Sequence, residues 1–393
     1  MSGSMTLSGR GSPSPGGRDD PGTAELRAEL RAWLEDRMTP ELAHAARQPL
    51  GAADLELLRH WNLALADARW AAPAWPVEHG GRDATVSEHV VWLEEMDRAR
   101  APGPINVIGV SNIAPAIWTF GTDAQAARFL RPMLRGEEIW SQGMSEPDAG
   151  SDLASLRTRA EPDGHGGWVI NGQKTWNSLG HLADWCQLYV RTDPDTPKHK
   201  GISCLLVDLR APGIEVRPLR TITGDHSFAE LFFTDVVVPR EALLGEEHRG
   251  WTVAMTTLGF ERAGVARLHL MLAAKLADLR AEPSVRDRLA HDAVARQRVA
   301  EVHSRIAAMR WLTARHLAEA SPGPTGSLAK LSWSRIDQQL GSLAVDLLGP
   351  AGCSGRWADN LASVRQASIA GGTTEINLDI VGESLLGLPR EPS

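Results

Sequence analysis

At 393 residues the chain is long enough for two or three domains with sizeable cores. Its 42% hydrophobic and 23% charged content are ordinary for a soluble globular protein. A net charge of −8, with arginines interleaved among acids, leaves no nucleic-acid footprint, and no run of about 18 apolar residues suggests a membrane span.

Met1 to Gly22 is rich in Gly, Ser and Pro and lacks an apolar core, so residues 1–23 read as a disordered extension rather than a signal peptide. Residues 24–138 then carry a helical pattern. AELRAELRAWLEDRM and SEHVVWLEEMDRARA space their apolar residues by three and four. Between them, Trp70 to Gly81 (WAAPAWPVEHGG) is a loop by its Pro and Gly content.

After Trp140 the period changes. In GWVINGQKTW, Asn171-Gly172 separates two apolar stretches, the signal of a hairpin turn. WCQLYVRT, GISCLLVDL, GIEVRPL and AELFFTDVVVP follow at strand spacing, which predicts a small antiparallel sheet or barrel over residues 139–244. Helix returns from Gly250, and residues 245–390 read as a helical bundle of the four-helix type. The fold class is α+β in the order helical domain, β-barrel domain, helical bundle.

Several chemistries lack their motifs. There is no G-x-G-x-x-G and no G-K-[ST], which leaves a Rossmann unit and a P-loop unsupported. No His pair at ligand spacing stands beside an acid, so no metal site is expected. Cys186, Cys204 and Cys353 form no C-x-x-C pair, which argues against a disulfide framework and suits a reducing, cytoplasmic setting.

Four stretches carry chemistry: SQGMSEPDAGSDL (Ser141 to Leu153), QKTWNS (Gln173 to Ser178), FFTDVVVPREALLGEEHRGW, and IAGGTTEIN (Ile369 to Asn377). The first has the Pro, Gly and hydroxyl residues of a loop that offers N–H and O–H groups to an anion or ring edge. Taken alone, such a loop is more often a turn held by its own Ser and Asp side chains. A lone Trp in the second would ordinarily be core.

In this order and spacing the stretches resemble the acyl-CoA dehydrogenase family, from about residue 24 to the end. W-x-x-P-x-W-P-x-x-x-G-G, M-S-E-P-x-A-G-S-D and L-L-G-E-x-x-x-G-W are close to family signatures. The resemblance implies FAD as cofactor and α,β-dehydrogenation of an acyl thioester, on coenzyme A or an acyl carrier protein, to a trans-2-enoyl product. It also implies electron transfer to a flavoprotein acceptor. By the same resemblance Gln142, Met144 and Ser145 line the flavin ring edge, and Gly150 and Ser151 lie near the pyrophosphate or the substrate's phosphopantetheine arm. Trp176 covers the isoalloxazine, with Asn177 and Ser178 beside its N5 and O4 side. Thr373 and Glu375 approach the cofactor from the C-terminal turn.

The family's usual base, the glutamate of Y-E-G-T-S-E-I, is Gly371 here. Ala254, Leu258, Glu261, Val265, Leu268 and Leu272 recur by four and three, one stripe of a helix with a carboxylate in its middle. Such a group is costly unless paired or protonated. Isovaleryl-CoA and long-chain members of the family place their catalytic glutamate on this helix, directly before an arginine, and lack it at the turn. Glu261-Arg262 and Gly371 match that pair. The resemblance therefore implies Glu261 as α-proton acceptor, the Gly371 backbone N–H as a thioester-oxygen donor, and Arg262 orienting Glu261 or the substrate pocket wall.

Two family features are missing. The R-x-x-F-G segment that grips the FAD pyrophosphate is replaced, with Arg280 or Arg286 as substitutes. The adenine-side Q-x-x-G-G reads Asp346-Leu347-Leu348-Gly349-Pro350, which keeps Gly349 as a cofactor contact. A homotetramer or dimer is the expected assembly, with a heterotetramer of paired homologues as the variant. The competing readings are an oxidase or hydroxylating monooxygenase on the same fold, and a non-catalytic partner subunit.

Overall fold

The computed structural model of the protein describes residues 21–47, 54–261, 267–317 and 324–390. Most of the extension expected over residues 1–23 lies outside them, and the first helix already begins at Pro21.

Six helices precede the sheet: α1 (Pro21–Arg37), α2 (Pro40–Ala45), α3 (Leu55–Asp67), α4 (Val86–Arg98), α5 (Ala114–Phe120) and α6 (Asp123–Arg135). Seven strands follow: β1 (Trp140–Gly143), β2 (Arg159–Pro162), β3 (Trp168–Ser178), β4 (Trp185–Arg191), β5 (Ile202–Asp208), β6 (Ile214–Leu219) and β7 (Phe228–Val238). Then come α7 (Gly250–Glu261), α8 (Leu268–Ala281), α9 (Pro283–His291), α10 (Ala293–Leu317), α11 (Thr325–Leu348), α12 (Gly355–Ser363) and α13 (Thr374–Ser384). These elements form two compact units. One comprises Trp33–Ala84 and Ala99–Glu261; the other comprises the described parts of Met1–Ala32, Thr85–Arg98 and Arg262–Ser393.

The first unit is built around the sheet, in the order β1-β4-β2-β3-β7-β6 with β5 paired to β4. The all-antiparallel expectation fails at two pairings. β1 runs parallel to β4 (Trp140 opposite Trp185), and β2 meets β4 in parallel at Arg159–Arg191. Parallel neighbours need a crossover, and here the whole β2–β3 segment supplies it between β1 and β4.

The expected hairpin at Asn171-Gly172 is also corrected. β3 runs straight through these residues, and the reversal between β2 and β3 lies earlier, where the Asp163 carboxylate accepts from the amides of His165 and Gly167 at 2.7 and 2.8 Å. Gly172 marks a register shift against β7 instead. A Cβ there would stand 2.6 Å from the Thr158 backbone, so the glycine serves close strand approach rather than a turn. Inward residues of the sheet, among them Ile170, Leu188, Val207, Leu231 and Val236, form the core on one face.

Helices of this unit are fixed by local chemistry. Thr122 and Gln125 close a capping box at the start of α6, and Gly136 ends it in the left-handed region at φ 69°. Asn62 of α3, fully buried, donates to Leu134 O at 3.0 Å and accepts from Ile105 N at 3.1 Å.

The second unit is helical. Leu272, Leu276 and Leu279 of α8, Val302, Ile306 and Met309 of α10, and Leu340, Leu343 and Leu347 of α11 share one core, each burial stabilising by roughly 1.5–3 kcal/mol. α9 ends and α10 begins at Asp292. The Asp292 carboxylate accepts from the Val294 and Ala295 amides at 2.9 and 3.0 Å, which caps α10. Three guanidiniums, from Arg27, Arg31 and Arg98, converge on the Glu95 carboxylate at 2.9, 2.7 and 2.7 Å. Burial alone would push this carboxyl up, but the three arginines outweigh it and hold it at about 2.

Candidate active site

In the first unit the loop after β1 is stitched to the end of β3 by four hydrogen bonds in sequence. Ser141 Oγ donates to Ser178 O at 2.9 Å, and Asn177 Nδ2 donates to Gln142 O at 2.7 Å. Lys174 Nζ donates to Met144 O at 3.0 Å, and the Thr175 amide donates to Ser145 O at 2.9 Å. Six of the residues singled out in the sequence, Gln142, Met144, Ser145, Trp176, Asn177 and Ser178, are thereby brought together. Gly150 and Ser151 lie further along the same loop, both exposed, and a Cβ at Gly150 would meet nothing within 4 Å.

A buried ion pair, which the sequence reading did not single out, holds this loop. Lys174 is 0% exposed and its ammonium lies 2.8 Å from Glu146 Oε1. Glu146 also accepts from the amides of Arg157 and Thr158, at 2.6 and 2.8 Å. Burial would raise the Glu146 carboxyl, but Lys174 and these amides together hold it below the usual carboxylate range. The signal was available as a lysine in an apolar strand and a glutamate in the facing loop.

Trp176 shows how the strand positions a side chain. The register against β7 shifts between Lys174 and Asn177, and Trp176 takes φ 60°, uncommon for a bulky residue. Such bulges re-aim side chains. The indole stands 62% exposed, edge-on to Phe228 at 5.9 Å. Next to it Asn177 is buried, with Oδ1 lacking any partner while Nδ2 is engaged. An exposed aromatic plane beside an unsatisfied buried carbonyl, at the rim of a loop rich in hydroxyls, suits a flat, hydrogen-bonding ring such as the isoalloxazine of FAD.

Behind Gln142 lies a polar file. Asn112 Nδ2 donates to Gln142 Oε1, Gln142 Nε2 to Gln187 Oε1, and Gln187 Nε2 to Thr257 Oγ1, each at 3.4 Å. Tyr189 OH meets the same Thr257 hydroxyl at 3.3 Å. Asn112 sits on a π-turn, Gly109–Ile113, which widens the helix where it faces this file. Thr257 belongs to α7, whose last residue is Glu261; the Glu261 side chain and Arg262 to Ala266 lie outside the described residues.

In the second unit the C-terminal turn is well defined. Gly371 and Gly372 take φ 66° and 85°, a region open to glycine without strain. Thr373 caps α13, its hydroxyl accepting from the Ile376 amide at 3.2 Å. The Glu375 carboxyl is held low chiefly by its own backbone amide and then by the Thr373 hydroxyl. Lys330 of α11 and Asn377, neither foreseen from the sequence, donate to Gly372 O at 2.5 and 2.9 Å.

On the adenine side, Gly349 ends α11 at φ 61°. Asp346, where the family's glutamine would stand, is held by Arg298 at 2.6 Å. Arg280 and Arg286 are exposed on α8 and α9. Among the described residues no cluster of His, Cys, Asp and Glu could hold a metal ion, and no helix is long and apolar enough to cross a membrane.

Comparison with known proteins finds the same order of domains. Residues 21–137, 141–236 and 248–386 match the acyl-CoA dehydrogenase N-terminal, middle and C-terminal domains in turn. Acyl-CoA dehydrogenase IpdE1 of Mycobacterium tuberculosis is 40% identical over 93% of this chain and 98% of its own length. A solved structure titled Tcur3481-Tcur3483 steroid ACAD is similar with TM-score 0.82 at 28% identity, covering 95% of this chain and 99% of that one. The ChsE4-ChsE5 complex from Mycobacterium tuberculosis also reaches TM-score 0.82, at 30% identity over 95% of this chain and 99% of the other. The chain belongs to the acyl-CoA dehydrogenase family. It is an oxidoreductase that uses FAD and dehydrogenates acyl-CoA.

Proposed function

We propose that this enzyme converts a steroid-derived acyl-CoA to its trans-2-enoyl thioester, with Glu261 as the α-proton acceptor. The observation that carries the assignment is a coupled pair in the sequence: Glu261-Arg262 is present where Gly371 replaces the turn glutamate. FAD, when bound, supplies the two-electron acceptor for the hydride leaving the β-carbon.

The chain's own residues do the rest. Glu261 takes the α-proton as the carbon–carbon double bond forms, and Arg262 orients its carboxylate. The Gly371 N–H donates to the thioester oxygen as negative charge grows there; one such donor is typically worth about 3–4 kcal/mol. Trp176, Gln142, Met144, Ser145, Asn177 and Ser178 would hold the isoalloxazine, Gly150 and Ser151 the pyrophosphate or the substrate's pantetheine arm, and Gly349, Thr373 and Glu375 the remainder of the cofactor.

The substrate class draws support from the solved relative titled a steroid ACAD and from the Gly371-Gly372 pair, whose lack of side chains leaves room for a cyclic acyl group. A heteromeric assembly is favoured over a homotetramer. A relative of matching fold is titled a complex of two proteins, and Asp346, engaged by Arg298, stands where the family's adenine-side glutamine would be. Electrons leave to an electron-transfer flavoprotein.

The test is anaerobic titration of the purified flavoprotein with a panel of steroid-derived and straight-chain thioesters. Flavin bleaching by a steroid-derived acyl-CoA is the expected result. Bleaching by straight-chain acyl-CoA alone overturns the substrate class, and rapid reoxidation of the reduced protein by oxygen favours the oxidase reading. Size measurement of the chain alone tests the assembly: a stable homotetramer with a full complement of FAD would contradict heteromeric pairing.

A further inference from the structure

The Gly371-Gly372 turn has two faces, and only one was accounted for by the sequence. Its carbonyls are gathered inward: Asn377, 4% exposed, donates to Gly372 O and Thr373 O, both at 2.9 Å. Lys330, 9% exposed, donates to the same Gly372 oxygen at 2.5 Å. The Gly371, Gly372 and Thr373 amides have no acceptor among the described residues, and both glycines are exposed. The turn therefore presents N–H groups outward while an ammonium anchors it from behind.

A buried ammonium with three donors and one bond among the described residues is an expensive arrangement for a merely structural tie. Asn377 already fixes the turn with neutral donors. What Lys330 adds is charge: bonded to Gly372 O, it strengthens as a donor the Thr373 N–H of that same peptide, and it places positive potential over the turn that carries the Gly371 N–H. Burial lowers the Lys330 pKa from its ordinary value; the Glu375 carboxylate acts the other way, and its charge partly offsets the potential over the turn.

We propose that Lys330 is a positioning residue of the reaction, which holds the Gly371-Gly372 turn and supplies the positive potential that stabilises the enolate-like charge on the thioester oxygen. The inference rests on the functional reading above. It assigns Lys330 no proton transfer and no direct substrate contact.

The experiment compares two probes on FAD-replete protein by equilibrium absorbance titration. The 3-keto thioester of the acyl group that bleaches the flavin is acidic at C2 and is the enolate probe; the matching 2-enoyl thioester is the neutral one. Lys330→Gln is expected to weaken the enolate probe about tenfold and the neutral probe less than about twofold, and Lys330→Arg to restore the discrimination to within about threefold. Glu375→Gln tests the same field with opposite sign and does not depend on Lys330→Gln folding; because the functional reading places Glu375 against the cofactor, it is read only as the ratio of the two affinities on FAD-replete protein, from which a cofactor effect common to both probes cancels. That ratio is expected to shift about twofold to threefold towards the enolate probe. Equal loss for both probes in Lys330→Gln, or an unchanged ratio in Glu375→Gln, overturns the inference. Wild-type protein that binds no enolate probe at all overturns the functional reading instead.

Discussion

Lys174→Met removes the ammonium that ties the loop after β1 to β3 while keeping the stem's volume. In the wild type that ammonium is wholly buried and donates to Glu146 Oε1 at 2.8 Å and Met144 O at 3.0 Å. Removing one partner of a buried pair costs about 3–5 kcal/mol, because the other charge is left without compensation. Glu146 retains the Arg157 and Thr158 amides at 2.6 and 2.8 Å and can take up a proton, so the lower end, about 3 kcal/mol, is expected. At roughly 2–4 °C per kcal/mol this lowers Tm by about 6–12 °C. The loss of a rung beside Ser145 should also weaken FAD. Thermal and urea unfolding of the apoprotein give the stability change, and fluorescence titration gives the FAD affinity. The double variant Glu146→Gln with Lys174→Met should recover at least about 1 kcal/mol of the loss, since no unpaired charge remains. A single variant within about 1 kcal/mol of wild type, with FAD affinity unchanged, would refute the reasoning.

Trp176→Ala should cost less than about 1 kcal/mol of stability, since the indole is mostly exposed, yet weaken FAD about tenfold through lost stacking, both measurable on one preparation. Glu95, held at about 2 against an unfolded value near 4.3, contributes about 3 kcal/mol that is fully present above the unfolded value. That contribution is lost as pH falls through the folded value, so wild-type urea stability should drop more between pH 5 and pH 2.5 than that of Glu95→Gln. Gly371→Ala places a Cβ at φ 66°, which costs about 1–2 kcal/mol and shifts the turn. Steady-state kinetics should show kcat falling more than FAD occupancy.

Much of the fold could be read from local pattern, since β4 to β7 each fall on runs of β-branched and aromatic residues, and α3 and α11 follow their apolar stripes. The errors have physical causes. Asn171-Gly172 tolerates the backbone of a turn, but Asn171 instead exchanges hydrogen bonds with Asp235 at 3.0 Å and Gly172 yields to Thr158, so β3 continues. Parallel pairing of β1 with β4 is a long-range choice that no local window carries. At the site, the six residues around Gln142 and Trp176 were legible because their motifs are long. Lys174, Lys330 and Asn377 were not, because their importance lies in burial and in which carbonyl each one meets. The stripe through Glu261 was expected to run on unbroken into Leu272; α7 ends at Glu261, α8 starts at Leu268, and the residues between lie outside the described ones.

The central claim is that the base left the C-terminal turn and stands at position 261. Anaerobic stopped-flow mixing of wild type and Glu261→Gln with the acyl-CoA that bleaches the wild-type flavin tests it most directly. The account predicts that Glu261→Gln keeps its FAD and its affinity for the enoyl product, while bleaching slows by at least about a hundredfold, the usual yield of a positioned base. Bleaching of Glu261→Gln at the wild-type rate would contradict it.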